Sequence, residues 1–305
     1  MAYHIILEDR EGFTLGNLDQ LAISHSIRPE AACLRLLCGT CKVTNTETEK
    51  TTEVKTNFLK SPTWENSEVN LNFLDEYQEG FTSSEYNSHL KKASDHNRGF
   101  YRDLLDEIIV ACCAAENEQE IISFLHTYRA YERIAYAFPM IYAYKSRDYL
   151  GSFNDLKVWM ADTKTDGSAG ELAFFKRYLE TVYDEDQLKV TTDLRFQGSE
   201  ETRSRQFSLI RNQILKWQNG FSTEATVENQ VLSVPFKELH TLLLTVRNRY
   251  FHQMSGRTDN IKQRSIIDPE TFFKVLARPM LSYVATLFHD ILVRDMDQTA
   301  QDLDI

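Results

Sequence analysis

SVPFKELHTLLLTVRNRYFHQMSG, residues 233–256, carries a helical period with a start and a stop. At about 100° per residue, Phe236, Leu239, Leu243, Val246, Tyr250 and Met254 fall on one stripe, the pattern of a helix with a single apolar side. Ser233-Val234-Pro235 predicts its start, because a first-turn proline lacks only an N–H that the helix leaves unpaired anyway. Ser255-Gly256 predicts its stop.

The same periodicity recurs outward from this helix. One helix is predicted from Ser94 or Gly99 to Ala115, with Tyr101, Leu104, Leu105, Ile108, Ile109 and Cys112 on its apolar side. A second is predicted from Glu118 to about Tyr144, bent at Pro139 because proline cannot donate the helical hydrogen bond. Shorter helices fit Asn154–Ala161 and Ala169–Tyr183, and another fits Ser199–Trp217, with Ser199 as N-cap and Glu200 and Glu201 in the first turn. The last is predicted from Asp268-Pro269 to about Asp295, bent at Pro279.

Residues 1–85 read differently. Tyr3–Leu7 resembles a short strand, Ala31–Leu37 is a compact apolar segment, and Lys42–Phe58 suggests a hairpin around Asn45–Lys50. Ser61–Ser88 is polar, with Pro62 and Gly80 as punctuation. The expected organisation is therefore a mainly α protein in two parts. A small mixed α/β or β-rich module spans 1–85, with sensing or docking as its role, and an antiparallel helical bundle spans 86–305.

Composition narrows the function classes. With 305 residues, 42% hydrophobic and 26% charged, the chain is that of a globular protein, and 11 Gly and 6 Pro leave little room for long linkers. The N-terminus has no signal-peptide pattern and no apolar run approaches the roughly 20 residues that span a bilayer, so a cytoplasmic protein without membrane partners is expected. Cys33, Cys38 and Cys41 supply one CxxC and no fourth ligand nearby, so reduced cysteines are expected over zinc, and no cofactor is predicted. The net charge of −11 argues against a general nucleic-acid binder. Residues 237–264 are the exception: Lys237, Arg247, Arg249, Arg257, Lys262 and Arg264 stand against Glu238 and Asp259, a net +4. That fits a site for one phosphate-bearing ligand.

Arg247, Asn248 and His252 lie in this basic stretch. Together these side chains can hold a phosphate and move a proton, the minimum for cutting RNA without a metal. Arg247 falls at the edge of the apolar stripe, while Asn248 and His252 lie one turn apart on the polar side. Arg247 and His252 are about 140° apart on an ideal helix. Either the helix end distorts or the site is shared across a dimer. In the helix from Glu118, Glu132 lies on the apolar stripe with Ile121, Leu125, Tyr128 and Ala135. A buried glutamate needs a partner, and two environments are open: an arginine, Arg247 first, or a water-filled groove.

Arg247-Asn248-x3-His252 near the end of a bundle helix resembles the R-x4–6-H motif of the HEPN superfamily, α-helical domains of toxin–antitoxin, abortive-infection and antiviral ribonucleases. The resemblance covers roughly residues 90–295 and includes the common form with Asn after Arg. It implies metal-independent RNA cleavage by a homodimer, through attack of the 2′-OH on the neighbouring phosphorus, in a toxin or anti-phage effector that an antitoxin or sensor protein controls. His252 would move the proton, Arg247 would neutralise charge on the phosphorane, and Asn248 would orient His252 or the phosphate, with Glu132 in support. Arg249, Arg257 and Lys262 would guide the strand and Tyr250 would stack on a base. The family's tyrosine-modified form is not matched, since Met254 stands two residues after the His.

The alternative is a non-catalytic helical scaffold that binds a protein partner and uses the Arg/His motif structurally, as helix-dipole partners in the last turn. A DNA-binding regulator is disfavoured by the acidic charge and the absence of a helix-turn-helix pattern. His126 and His240 are expected as core or surface histidines, and His289-Asp290 on a solvated face. Arg203, Arg205 and Arg211 with Trp217 either extend an RNA groove or form an ordinary charged face. No P-loop, GxGxxG, HExxH or GxSxG occurs.

Overall fold

A computed structural model of the chain describes residues 4–13, 21–23, 27–59, 97–146, 148–160, 173–217, 224–226, 230–251, 260–266 and 268–301. These residues are mainly helical and carry two three-stranded antiparallel sheets. The chain divides into two compact units: Met1–Phe138 with Val284–Ile305, and Pro139–Tyr283. The boundary expected near residue 85 falls outside the described residues.

The first unit opens with a meander of β1 (Ile5–Asp9), β2 (Cys41–Asn45) and β3 (Thr51–Val54). Its register sets Leu7 opposite Val43 and Cys41 opposite Val54. These four residues are buried, as period-two alternation requires of a sheet with one covered face. Asn45 closes the β2–β3 hairpin by accepting from the N–H groups of Glu47 and Thr48 at 2.9 and 3.0 Å. The apolar segment between β1 and β2 is a helix, α1 (Pro29–Leu37), buried along its whole length.

A charged residue sits inside that buried helix. Arg35 has no exposed side-chain surface, yet each of its nitrogens is matched. Nε donates to Thr40 Oγ1 at 2.7 Å, and Nη1 donates to the Leu21 carbonyl at 2.7 Å. Nη2 donates to the Asp9 carboxylate and to the Thr40 carbonyl. The guanidinium also lies 4.4 Å from the centre of the Phe13 ring. Only the planar fork of arginine serves four acceptors at these angles. Gly39 completes the turn into β2 at φ +69°, where a Cβ would stand 2.6 Å from the Thr56 carbonyl oxygen.

α2 (Arg98–Glu116) packs against α1 and β3 through the apolar stripe read from the sequence. At its end Glu116 accepts from the backbone N–H groups of Lys55 and Thr56 at 2.9 and 2.7 Å. α3 (Glu120–Lys145) follows after a short turn and runs back along α2. Arg133 thereby meets Asp103 and Glu107 at 3.1 and 3.3 Å, and His126 Nδ1 meets Glu107 at 2.7 Å. Pro139 lies inside α3, at the start of the second unit.

The second unit contains α4 (Tyr149–Trp159), α5 (Ala173–Val182), α6 (Glu185–Lys189) and β4 (Thr191–Arg195). After these come α7 (Glu200–Trp217), β5 (Glu224–Thr226), β6 (Val231–Pro235), α8 (Phe236–Tyr250), a 3-10 turn at Gln263–Ser265 and the start of α9 (Pro269–Gln301). Asp148 caps α4 by accepting from Gly151 N–H at 2.9 Å, and Asp184 with Gln187 forms a reciprocal capping box on α6. The sheet order is β4-β6-β5.

This second sheet corrects the sequence reading. Val231–Pro235 was expected in part as a helix start, but it alternates, with Leu232 and Val234 buried and Val231 and Ser233 on the other face. Pro235 ends the strand and serves as N-cap of α8, which begins at Phe236. α4 also starts five residues earlier than the predicted Asn154, and α9 runs past the predicted end to Gln301.

Truncating the buried guanidinium leaves four oxygens of the β1–α1–β2 junction without their donor. Arg35→Met is expected to cost about 3 kcal/mol, and Arg35→Lys is expected to rescue little of it. Urea unfolding followed by circular dichroism checks both; a wild-type midpoint for Arg35→Lys would show that charge suffices without the fork.

Candidate site at the end of helix α8

α8 is held at both ends. At its start Thr191 pairs with Pro235 across the sheet, and Phe236 N–H donates to the Val190 carbonyl at 2.8 Å. Phe236 also packs edge-on against Tyr283, with ring centres 5.0 Å apart. Of the predicted stripe, Leu239, Leu243 and Val246 are buried, joined by Glu238, His240 and Leu242; Phe236 and Tyr250 are half-buried and Met254 lies outside the described residues. At its end Tyr250 packs edge-on against Phe251 at 4.9 Å and Phe273 at 4.8 Å. Burial, then the Glu270 carboxylate, raises the Tyr250 phenol above its usual range.

Arg247 and Asn248 stand half-buried in the last turn. Arg247 Nη1 donates to Asn248 Oδ1 at 2.8 Å. With the carboxamide oxygen turned to the guanidinium, the Asn248 NH2 points the other way. Arg249 belongs to the same turn, where positive charge meets the negative end of the helix dipole. His252 and Arg257 lie outside the described residues. No family model, curated protein or solved structure matches the chain.

The segment after the motif returns to the helix end. Ile261 N–H donates to the Arg249 carbonyl at 2.9 Å, and Ile261 and Ile266 are buried as anchors. That leaves Lys262 and Arg264 exposed between them. Arg205, from α7, reaches the Arg264 carbonyl with Nη2 at 3.3 Å. Arg205 is 42 residues before Arg247 in sequence, and the sequence left it open between an extension of the basic region and an ordinary charged helix face.

Glu132 accepts from the Tyr128 hydroxyl at 3.3 Å, one turn back on α3. His126, expected as an ordinary histidine, is joined to Glu107 and through it to Arg133. The partner comes from the neighbouring helix, which the spacing along one helix cannot reveal. His289 corrects another expectation: it is buried rather than on a solvated face. Cys33, Cys38 and Cys41 are buried free thiols. Burial pushes Cys33 and Cys38 well up, and Cys41 up to about 11. Among the described residues no three His, Cys, Asp or Glu side chains are grouped to hold a metal ion, and no helix is long and apolar enough to cross a membrane.

His240 is a core histidine beside Phe175, with ring centres 6.5 Å apart. Burial first, and the Lys176 charge second, hold its imidazole down at about 3. An unfolded histidine titrates near ~6.5, so the unfolded chain binds the extra proton at intermediate pH. The stability this neutral imidazole contributes is complete above ~6.5 and is lost as pH falls toward 3. Replacing His240→Met is expected to flatten the acid limb of the stability curve, by about 2 kcal/mol between pH 7 and pH 4.5. Urea midpoints of both proteins across that window measure it, and parallel curves would remove His240 from the acid response.

Proposed function

We propose that the chain is a metal-independent endoribonuclease of the HEPN type, acting as a toxin or anti-phage effector, with Arg247, Asn248 and His252 as its reacting set. The observation that carries this is the Arg247–Asn248 hydrogen bond at the end of α8. It joins the two motif residues that the sequence only places side by side. Lys262 and Arg264 stand exposed on the segment that returns to this helix end, with Arg205 bound to Arg264, so local positive charge accompanies the motif on an acidic chain.

In this reaction the RNA 2′-OH attacks the adjacent phosphorus and the bond to the 5′-oxygen breaks, leaving a 2′,3′-cyclic phosphate and a 5′-hydroxyl. His252 transfers the proton, a task suited to a group that titrates near neutrality. Arg247 neutralises charge on the phosphorane oxygens. Asn248, its oxygen engaged by Arg247, offers its NH2 to a phosphate oxygen or to the imidazole. Lys262, Arg249 and Arg257 bind flanking phosphates. Tyr250, with its edges in the Phe251–Phe273 cluster, chiefly anchors the helix end. That same packing favours the second reading, a non-catalytic scaffold in which the last turn of α8 is a structural joint.

Incubation of total RNA and tRNA with purified protein in EDTA separates the two. Wild type is expected to cut and leave cyclic-phosphate ends. His252→Ala is expected to lower the rate by about 10²–10⁴-fold and Arg247→Ala by about 10²-fold, with unfolding midpoints matched beforehand. Equal cutting by wild type and His252→Ala, or none by either, would turn the assignment to the scaffold.

A further inference from the structure

In several places the exposed cations of this acidic chain meet a carboxylate. Lys55 reaches Glu53 at 2.9 Å, Lys189 reaches Glu185 at 2.8 Å, and Arg195 reaches Asp193 at 2.8 Å. The cations around the 3-10 turn at Gln263–Ser265 do not. Arg205, Lys262 and Arg264 are exposed, and none of them forms an ion pair among the described residues. Glu201 stands one turn before Arg205 on α7, the spacing of an ordinary helical pair. Arg205 instead carries its Nη2 to the Arg264 carbonyl at 3.3 Å. Asp268 turns its carboxylate into α9, accepting from Glu270 N–H at 3.1 Å and from the Thr271 hydroxyl.

The turn that carries these cations is fixed. Its flanks are the buried Ile261 and Ile266, and Ser265 N–H donates to the Lys262 carbonyl at 2.7 Å. Ile261 N–H binds the Arg249 carbonyl at 2.9 Å, which ties the turn to the last turn of α8. From the other side Gln206, buried next to Arg205, reaches the Asp268 carbonyl at 3.5 Å. Two arginines from separate elements are thus brought together, with no carboxylate between them among the described residues. Like charges so placed repel, and an anionic ligand would turn that repulsion into shared attraction.

We propose that Arg205 and Arg264, with Lys262 beside them, hold a second phosphate of a single-stranded RNA, apart from the phosphate that is cut. The identity of the ligand rests on the ribonuclease reading. Guanidinium groups suit the task, since each offers a planar fork of N–H donors to phosphate oxygens. Nε and Nη1 of Arg205 have no partner among the described residues and remain available to a ligand. A turn already held on both sides loses little freedom when a phosphate binds. The subsite makes α7 part of the RNA surface, and the strand runs from the end of α8 across the 3-10 turn.

A strand that lacks the attacking hydroxyl separates binding from cutting. Fluorescence anisotropy of a labelled 2′-O-methyl oligouridylate with the full chain, at several KCl concentrations in EDTA, tests the subsite. Wild type is expected to bind. Arg205→Gln and Arg264→Gln are each expected to keep wild-type circular dichroism and weaken binding about tenfold. Combined, they are expected to lower the slope of log affinity on log salt by about 0.7. Arg195→Gln, which removes an exposed arginine already paired with Asp193, is expected to stay within about twofold of wild type. Equal weakening by Arg195→Gln overturns the subsite, as does unchanged binding in both subsite variants. So does a wild type that leaves the oligonucleotide unbound, including one that binds polyglutamate instead. If the chain cuts RNA while the subsite variants bind normally, the subsite falls and the ribonuclease reading stands. If the variants lose binding and no RNA is cut, the subsite stands and the ribonuclease reading falls.

Discussion

Pro235 is at once the last residue of the central strand β6 and the cap of α8, and the second unit depends on that double use. As a strand residue it is fixed opposite Thr191. As a cap it points the next residue into the helix, with extended backbone at φ −61° and ψ 147°. Nothing flexible intervenes between sheet and helix. Leu232 and Val234 beneath the sheet, and Leu239, Leu242 and Leu243 along the helix, are all buried. The direction of α8, and so the place where its last turn delivers Arg247 and Asn248, follows from the strand pairing. Proline suits this junction because it lacks the N–H that would need a partner at a helix start.

The first unit rests on a different device, a charge placed where apolar packing would be expected. Removing a guanidinium from water is costly unless its donors are matched. Arg35 meets that condition with four oxygens, from Asp9 of β1, Leu21 and Thr40 (two), around it, so the cost becomes a geometric requirement: β1, α1 and β2 must meet in one arrangement. Glu116 acts similarly at the far edge, joining the end of α2 to the residues that follow β3. These long-range links, more than strand propensity, explain how short strands of four and five residues hold together.

Helices were legible in the sequence because burial on one side imposes a period that survives without knowledge of the neighbours. The stripe of α2 is a buried face, as is the middle of the α8 stripe, Leu239 to Val246. The second sheet was not legible for equally physical reasons. β4 buries only Leu194, so it shows no alternation, and β5 has three residues. β6 does alternate, but its closing Val-Pro also reads as a helix start, and a single pattern serving two elements is ambiguous by construction. At the site, the Arg247–Asn248 turn was visible because both residues lie on one helix. The return of residues 260–266 and the arrival of Arg205 were not, because long-range partners leave no local period.

The distribution of charge connects these parts to what the protein can bind. Counterion release rewards a protein for each phosphate it neutralises, so a general nucleic-acid binder spreads cations over a surface. Here cations gather at one helix end while the chain as a whole is acidic. For the proposed RNA substrate, such a field would admit a strand locally and repel it elsewhere, favouring single-stranded segments that can bend into a point of contact over rigid duplexes. The half-buried position of Arg247 sharpens the effect, since a charge in lower dielectric acts more strongly on a nearby phosphate than one in open water. The hydrogen bond to Asn248 restrains that side chain before any ligand arrives, so less conformational freedom is lost on binding. For the proposed RNA substrate, a preorganised basic turn on an acidic chain would suit the selection of one phosphate in a flexible strand rather than the holding of nucleic acid in bulk.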